Sequence, residues 1–129
     1  MRVFYSHPIK LYGSDAERSE IAQIEKRFVG YEVVDPSALQ SGAEPGRETE
    51  YYLRLVDGCD SLVFSRSFGY VTEGVRKEVD YALSKGKPVY ELREGTFSSV
   101  SGPVANLPMR ERLILRARSV LGIKGRAPD

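Results

Sequence analysis

The stretch GVRKEVDYALSKGKPVYEL, residues 74–92, predicts a helix that runs directly into a buried β-strand. At about 100° per residue, its apolar side chains fall within a sector of about 100°, which is the stripe expected of a helix packed on a sheet. The members of this stripe are Val75, Val79, Ala82 and Leu83. The helix-to-strand order is typical of one half of a βαβ unit.

The same alternation continues along the rest of the chain. Strand-like runs occur at residues 2–5, 31–35 and 61–65, while Ser14 or Asp15 can cap a first helix that stops near Gly30. Apolar residues at helical spacing also predict helices at residues 47–57 and about 109–121. Loops are predicted at residues 37–46 and 93–108. We therefore expect an α/β fold, a flavodoxin-like or Rossmann-like three-layer sandwich with a four- or five-stranded parallel sheet.

Composition narrows the class of protein. A chain of 129 residues fits one domain, which we assign to residues 1–121, followed by a frayed tail at 122–129. The net charge of +1 gives no reason to expect nucleic acid as a partner, and no apolar run approaches the ~20 residues that span a membrane. One cysteine and one histidine argue against a Cys-based or His-rich metal site, and nothing suggests a cofactor. We expect a cytoplasmic protein that acts on a small molecule or on another protein.

The predicted sheet also predicts where a ligand would bind. In open α/β sheets ligands bind beyond the carboxyl ends of the strands, near the point where the strand order reverses. The segments at that edge are residues 6–13, 35–46, 65–78 and 93–108.

Glu78 is the acidic residue of the opening stretch that is best placed for chemistry. Glu73 and Asp80 fall opposite the apolar stripe, whereas Glu78 lies about 85° from its middle, at the edge of the buried face. Gly74, one turn earlier, leaves room for a ligand, and Tyr81 could donate a hydrogen bond to the carboxylate or line a cavity. The alternative for Glu78 is a surface salt bridge with a neighbouring cation of the helix.

Three motifs resemble the nucleoside 2-deoxyribosyltransferase superfamily, which includes the 2'-deoxynucleoside 5'-monophosphate N-glycosidases. They are CDSLVFS at residues 59–65, the Gly74-to-Glu78 spacing, and YALSKGKPVYEL at residues 81–92. The resemblance implies that Glu78 is a nucleophile that attacks the anomeric carbon of a nucleoside or nucleotide and expels the base. Water or a second base would then release the sugar with overall retention.

The resemblance also implies further substrate-binding residues and a homodimer. Ser6, Lys10 and Ser14 would bind a 5'-phosphate in the loop after the first strand, where His7 lies at the rim. Ser98 and Ser99, in the loop after the fourth strand, would reach the site of a partner subunit. The alternatives are a solvated cation for Lys10, a histidine that only bonds backbone for His7, and a merely flexible loop for Ser98 and Ser99.

Two residues depart from the family pattern. Thr72 and Tyr52 stand where the family carries aspartates that hold the base. These departures leave two alternatives open, since fold and function separate easily. One is a non-catalytic nucleotide-binding or signalling module, and the other is a TIR-like domain that cleaves NAD.

Overall fold

The computed structural model describes residues 1–66 and 69–102. Five strands are present in this part of the chain: β1 (Arg2–Ser6), β2 (Glu32–Val34), β3 (Ser61–Phe64), β4 (Val89–Arg93) and β5 (Thr96–Val100). Three α-helices connect them: α1 (Asp15–Arg27), α2 (Glu48–Asp57) and α3 (Glu73–Ser84). Short 3-10 helices cover Ile9–Leu11 and Pro36–Gly42. The predicted helix at 109–121, the tail and the domain boundary at 121 lie outside the described residues.

The strands form one five-stranded sheet in the order β2-β1-β3-β4-β5. The first four strands run parallel, which confirms the α/β prediction, but β5 runs antiparallel to β4. The sheet is thus mostly parallel, and its fifth strand departs from the predicted parallel order. Residues 96–100, predicted as part of a loop at 93–108, form β5 instead, while residues 103–108 lie outside the described residues. Glu94 and Gly95 have φ angles of +51° and +79°, and two such residues form the tight turn that closes a β-hairpin.

Apolar clusters fill both faces of the sheet because side chains alternate along each strand. On one face, α2 and α3 cover Phe4, Leu62 and Phe64. On the other, α1 covers Val3, Tyr5 and Val63. The sheet is thus buried between helices, as expected for parallel strands.

Two local structures follow the carboxyl ends of β1 and β2: the N-cap of α1 and a 3-10 helix. Ser14 is the N-cap of α1, as predicted, and its Oγ accepts a hydrogen bond from the Glu17 backbone N–H at 3.1 Å. Residues 37–46, predicted as an irregular loop, instead begin with the 3-10 helix Pro36–Gly42. Asp35 caps this helix by accepting a hydrogen bond from the Ser37 N–H. A short helix held by such local bonds leaves no periodic apolar pattern in the sequence, which is why a loop was predicted.

Among the helices that the structure describes, none is both long and apolar enough to cross a membrane.

Candidate functional site

The site lies at the carboxyl ends of β1 and β3, which are neighbours in the sheet. From β1 the chain crosses to β2 on one side, and from β3 it crosses to β4 on the other. The two connections diverge and leave a crevice between them, which is where ligands bind in open α/β sheets. Ser6 ends β1 at this crevice and is fully buried.

Glu78 faces this crevice from α3. The Ser6 hydroxyl donates a hydrogen bond to Glu78 Oε1 at 2.5 Å. Burial disfavours the ionised carboxylate and raises the pKa of Glu78 from 4.5 to about 7, although the bond from Ser6 opposes this shift. A carboxyl group with such a pKa changes its charge near neutral pH.

The surface salt bridge considered for Glu78 does not form. Arg76 pairs instead with Glu73 and with Asp80, the latter at 3.6 Å. Within residues 1–66 and 69–102, no ion pair to Glu78 is found.

A pocket of about 180 Å³ opens beside Glu78. Three elements supply its walls: the segment after β1, the first turns of α2, and the first turns of α3. Its lining includes His7, Tyr12, Thr49, Tyr52, Gly74 and Glu78. A Cβ built on Gly74 meets no atom within 4 Å, so this glycine leaves open space on the same face as the carboxyl group.

Tyr12 and Tyr52 bring phenol groups to the pocket. Burial raises the pKa of both, and the charge of Glu78 adds to the rise in each case. Both hydroxyls therefore stay protonated and can donate hydrogen bonds. The sequence identified Tyr52 only as a departure from the family pattern. Its position with Thr49 and Leu53 on one face of α2 is the signal that places it at the pocket.

His7 contacts the pocket with its ring, but its nitrogens face the protein. Nε2 lies 2.7 Å from Glu17 Oε2, and Nδ1 lies 3.1 Å from the Tyr5 carbonyl oxygen. The ring stacks on Tyr5 with a centroid separation of 3.7 Å. Burial opposes ionisation of Glu17, but hydrogen bonds from the Gly13 N–H, His7 and Ser37 outweigh it and lower the pKa of Glu17.

The structure brings together Ser6, His7, Gly74 and Glu78, and separates the other predicted site residues from them. Lys10 is exposed in the first 3-10 helix, and Ser14 caps α1; neither lines the pocket. Tyr81 was expected to bond Glu78 or line the cavity, and this was wrong: its hydroxyl donates to Asp57 Oδ2 at 2.8 Å. Tyr81 therefore points from α3 to Asp57, the last residue of α2.

Ser98 and Ser99 lie in β5 and not in the predicted loop. They pair with Glu91 and Tyr90 of β4, at the far side of the sheet from β1, and both are exposed. Their predicted contribution to a partner subunit's site stays a prediction.

Comparison of the chain with protein-family models, with curated proteins and with solved structures found no match. Any inference about function therefore rests on the residues of this chain.

Proposed function

We propose that the protein is a retaining N-glycosidase or glycosyl transferase that cleaves the base–sugar bond of a nucleoside or nucleoside 5'-monophosphate, with Glu78 as the nucleophile. One observation carries the proposal: a partly buried carboxyl group, hydrogen-bonded to buried Ser6, lines a pocket at the crevice between β1 and β3. The strand order agrees with a flavodoxin-like arrangement, which the family resemblance also implies.

In this reaction the ionised Glu78 attacks the anomeric carbon as the bond to the base breaks. The bonding electrons leave with the base, and a glycosyl-enzyme ester forms. Water or a second base then attacks the same carbon and releases Glu78, which gives retention of configuration. Ser6 stabilises the carboxylate that each cycle regenerates, because its O–H donates to the charged form.

Departure of the base requires a proton or a hydrogen bond at its leaving nitrogen. The phenols of Tyr12 and Tyr52 are the donors we assign to this task and to the sugar hydroxyls, since both line the pocket in protonated form. Tyr52 thus takes over at the position where the resembled family carries an aspartate.

The perturbed carboxyl group favours an enzyme over a module that only binds nucleotides, and the assay below separates the proposed substrates from NAD. Strongly shifted pKa values cluster at catalytic sites, and a module that only binds nucleotides has no need of one.

The test is release of free base by the purified full chain from a panel of nucleosides, nucleoside monophosphates and NAD, followed by chromatography. We expect Glu78→Gln to lower turnover by about 10³-fold or more, because loss of a nucleophile removes the covalent route. Glu73→Gln is the matched control, since Glu73 is exposed on the same helix and pairs with Arg76. Its turnover should match that of the unchanged protein.

Three outcomes would contradict the proposal. Full turnover by Glu78→Gln would remove Glu78 from the chemistry. Release of nicotinamide from NAD alone would favour the TIR-like alternative, and binding of nucleotides without any base release would favour the binding module. The homodimer that the resemblance implies is checked separately by sedimentation of the same preparation.

A further inference from the structure

A second group of ionisable side chains lies beside the pocket, on the α1 side of β1. It contains His7 after β1, Glu17 on α1 and Asp35 after β2. His7 Nε2 lies 2.7 Å from Glu17 Oε2 and 3.9 Å from Asp35 Oδ1, and the three atoms all lie within 4.8 Å of one another. Their side chains are 0%, 7% and 17% exposed.

The group holds two acidic side chains and one imidazole. All three are largely shielded from water, with side-chain exposures of 17% or less. Buried charges in proteins are paired or bind metal ions, because an uncompensated charge away from water is costly. A divalent cation bound by two carboxylates and a neutral imidazole gives a group with no net charge.

We propose that His7 Nε2, Glu17 Oε2 and Asp35 Oδ1 bind one divalent transition-metal ion of the class represented by Zn²⁺. One imidazole nitrogen with two carboxylate oxygens is a donor set that suits such ions. A tetrahedral shell with bonds of about 2.1 Å puts its donor atoms ~3.4 Å apart. The 2.7 Å separation would widen and the 3.9 Å separation would shrink, each by less than about 1 Å. The third pair of donor atoms, on Glu17 and Asp35, lies within 4.8 Å and would close by at most about 1.4 Å.

The atoms around this group already orient its donors. The Tyr5 carbonyl lies 3.1 Å from His7 Nδ1, the usual arrangement for a histidine that binds metal through its other nitrogen. The Gly13 N–H bonds Glu17 Oε1 at 2.9 Å, which leaves Oε2 directed at His7. Asp35 Oδ1 accepts hydrogen bonds from both the N–H and the hydroxyl of Ser37, each at 2.9 Å. On binding, the ion would displace the hydroxyl and leave the N–H bond, and any proton on His7 Nε2 would pass to solvent.

This site differs from what the sequence predicts. One histidine and one cysteine argued against a metal cluster, but two of the donors are carboxylates that only the fold brings next to His7. The ion would tie together the segment after β1, α1 and the segment after β2. We therefore expect it to stabilise the carboxyl edge whether or not the pocket is catalytic.

The experiment uses the full chain, stripped with a chelator and titrated with ZnCl₂ alone. We expect one ion per chain by equilibrium dialysis with elemental analysis, together with a rise in melting temperature. Glu17→Gln and Asp35→Asn keep hydrogen-bonding groups of the same shape, and each should weaken Zn²⁺ binding by about tenfold or more. Glu20→Gln is the control, because that carboxylate bonds the Tyr5 hydroxyl and lies outside the donor set. Its affinity should be unchanged.

Far-UV circular dichroism establishes that each variant is folded before its affinity is measured. Binding of less than one ion per chain, or equal affinity in the unchanged protein and both folded donor variants, would overturn the site. The three residues would then be a hydrogen-bonded structural network. Neither result depends on base release, so failure here is distinct from failure of the proposed glycosidase.

Discussion

Replacing Glu78 with Gln is expected to stabilise the protein at pH 8 and to leave its stability unchanged near pH 4. Burial raises the pKa of Glu78 from 4.5 to about 7, so the folded protein holds this proton more tightly than the unfolded chain does. The stability from the neutral carboxyl group is complete below about pH 4.5 and is lost as the pH rises through about 7. At 1.36 kcal/mol per pKa unit, the ionised group costs about 3 kcal/mol.

Glutamine has nearly the shape of the protonated carboxyl group, and its side-chain oxygen can still accept the hydrogen bond from Ser6. It carries no charge at any pH. The difference in free energy of unfolding between Glu78→Gln and the unchanged protein should therefore grow from near zero at pH 4 to about 3 kcal/mol at pH 8.

Urea unfolding followed by circular dichroism, at several pH values between 4 and 8.5, measures this difference. Glu73→Gln is again the control. Its carboxylate is exposed and pairs with Arg76, so its effect should stay within about 0.5 kcal/mol across the range. A difference for Glu78→Gln that does not change with pH would refute the reasoning, because it would mean that the carboxylate is as well solvated when folded as when unfolded.

Three further predictions rest on the same edge of the sheet. Ser6→Ala should raise the pKa of Glu78 by about one unit above its present value, since a donor to the charged form is lost; a carbon NMR titration in which the value does not rise would contradict this. With Glu78 as nucleophile, kcat/KM should increase as pH rises through about 7, whereas a decrease would make it a general acid. Arg66→Met should lower the free energy of unfolding, measured in urea, by about 3–5 kcal/mol, because Glu91 would lose its buried partner 2.6 Å away. Adding Glu91→Leu should recover most of this loss, whereas a negligible loss in the single variant would mean that Glu91 is solvated.

Periodic patterns predicted the parts of the fold that depend on burial. The apolar stripe of residues 74–92 places α3 and β4 correctly, because a helix packed on a sheet must repeat its apolar residues at helical spacing. The same reasoning located the edge of the sheet where Ser6 and Glu78 meet. Their hydrogen bond spans 72 residues of sequence. The alternation of strands and helices placed both residues at this edge but did not predict the bond between them.

The errors occur where local backbone geometry or a neighbouring element decides the outcome. The β4–β5 hairpin depends on two positive φ angles at Glu94 and Gly95, and a Glu–Gly pair is a weaker turn signal than Asn–Gly or Asp–Gly. The angle of Tyr81 around α3 was available from the sequence, but its partner Asp57 was not, because a helical wheel does not say which helix lies alongside.

The end of β1 explains why Glu78 lies on one side of the sheet and the group of His7, Glu17 and Asp35 on the other. Successive side chains of a strand point to opposite faces of the sheet. Ser6 points with Phe4 toward the face covered by α3, where it bonds Glu78, and His7 follows Tyr5 toward α1, where it bonds Glu17. Exchanging the order of these two residues would put the imidazole beside Glu78 and the hydroxyl beside Glu17. The order Ser6–His7 therefore places a neutral hydrogen-bond donor beside Glu78, which we propose as the nucleophile. It places an imidazole nitrogen beside the two carboxylates that we propose as metal ligands.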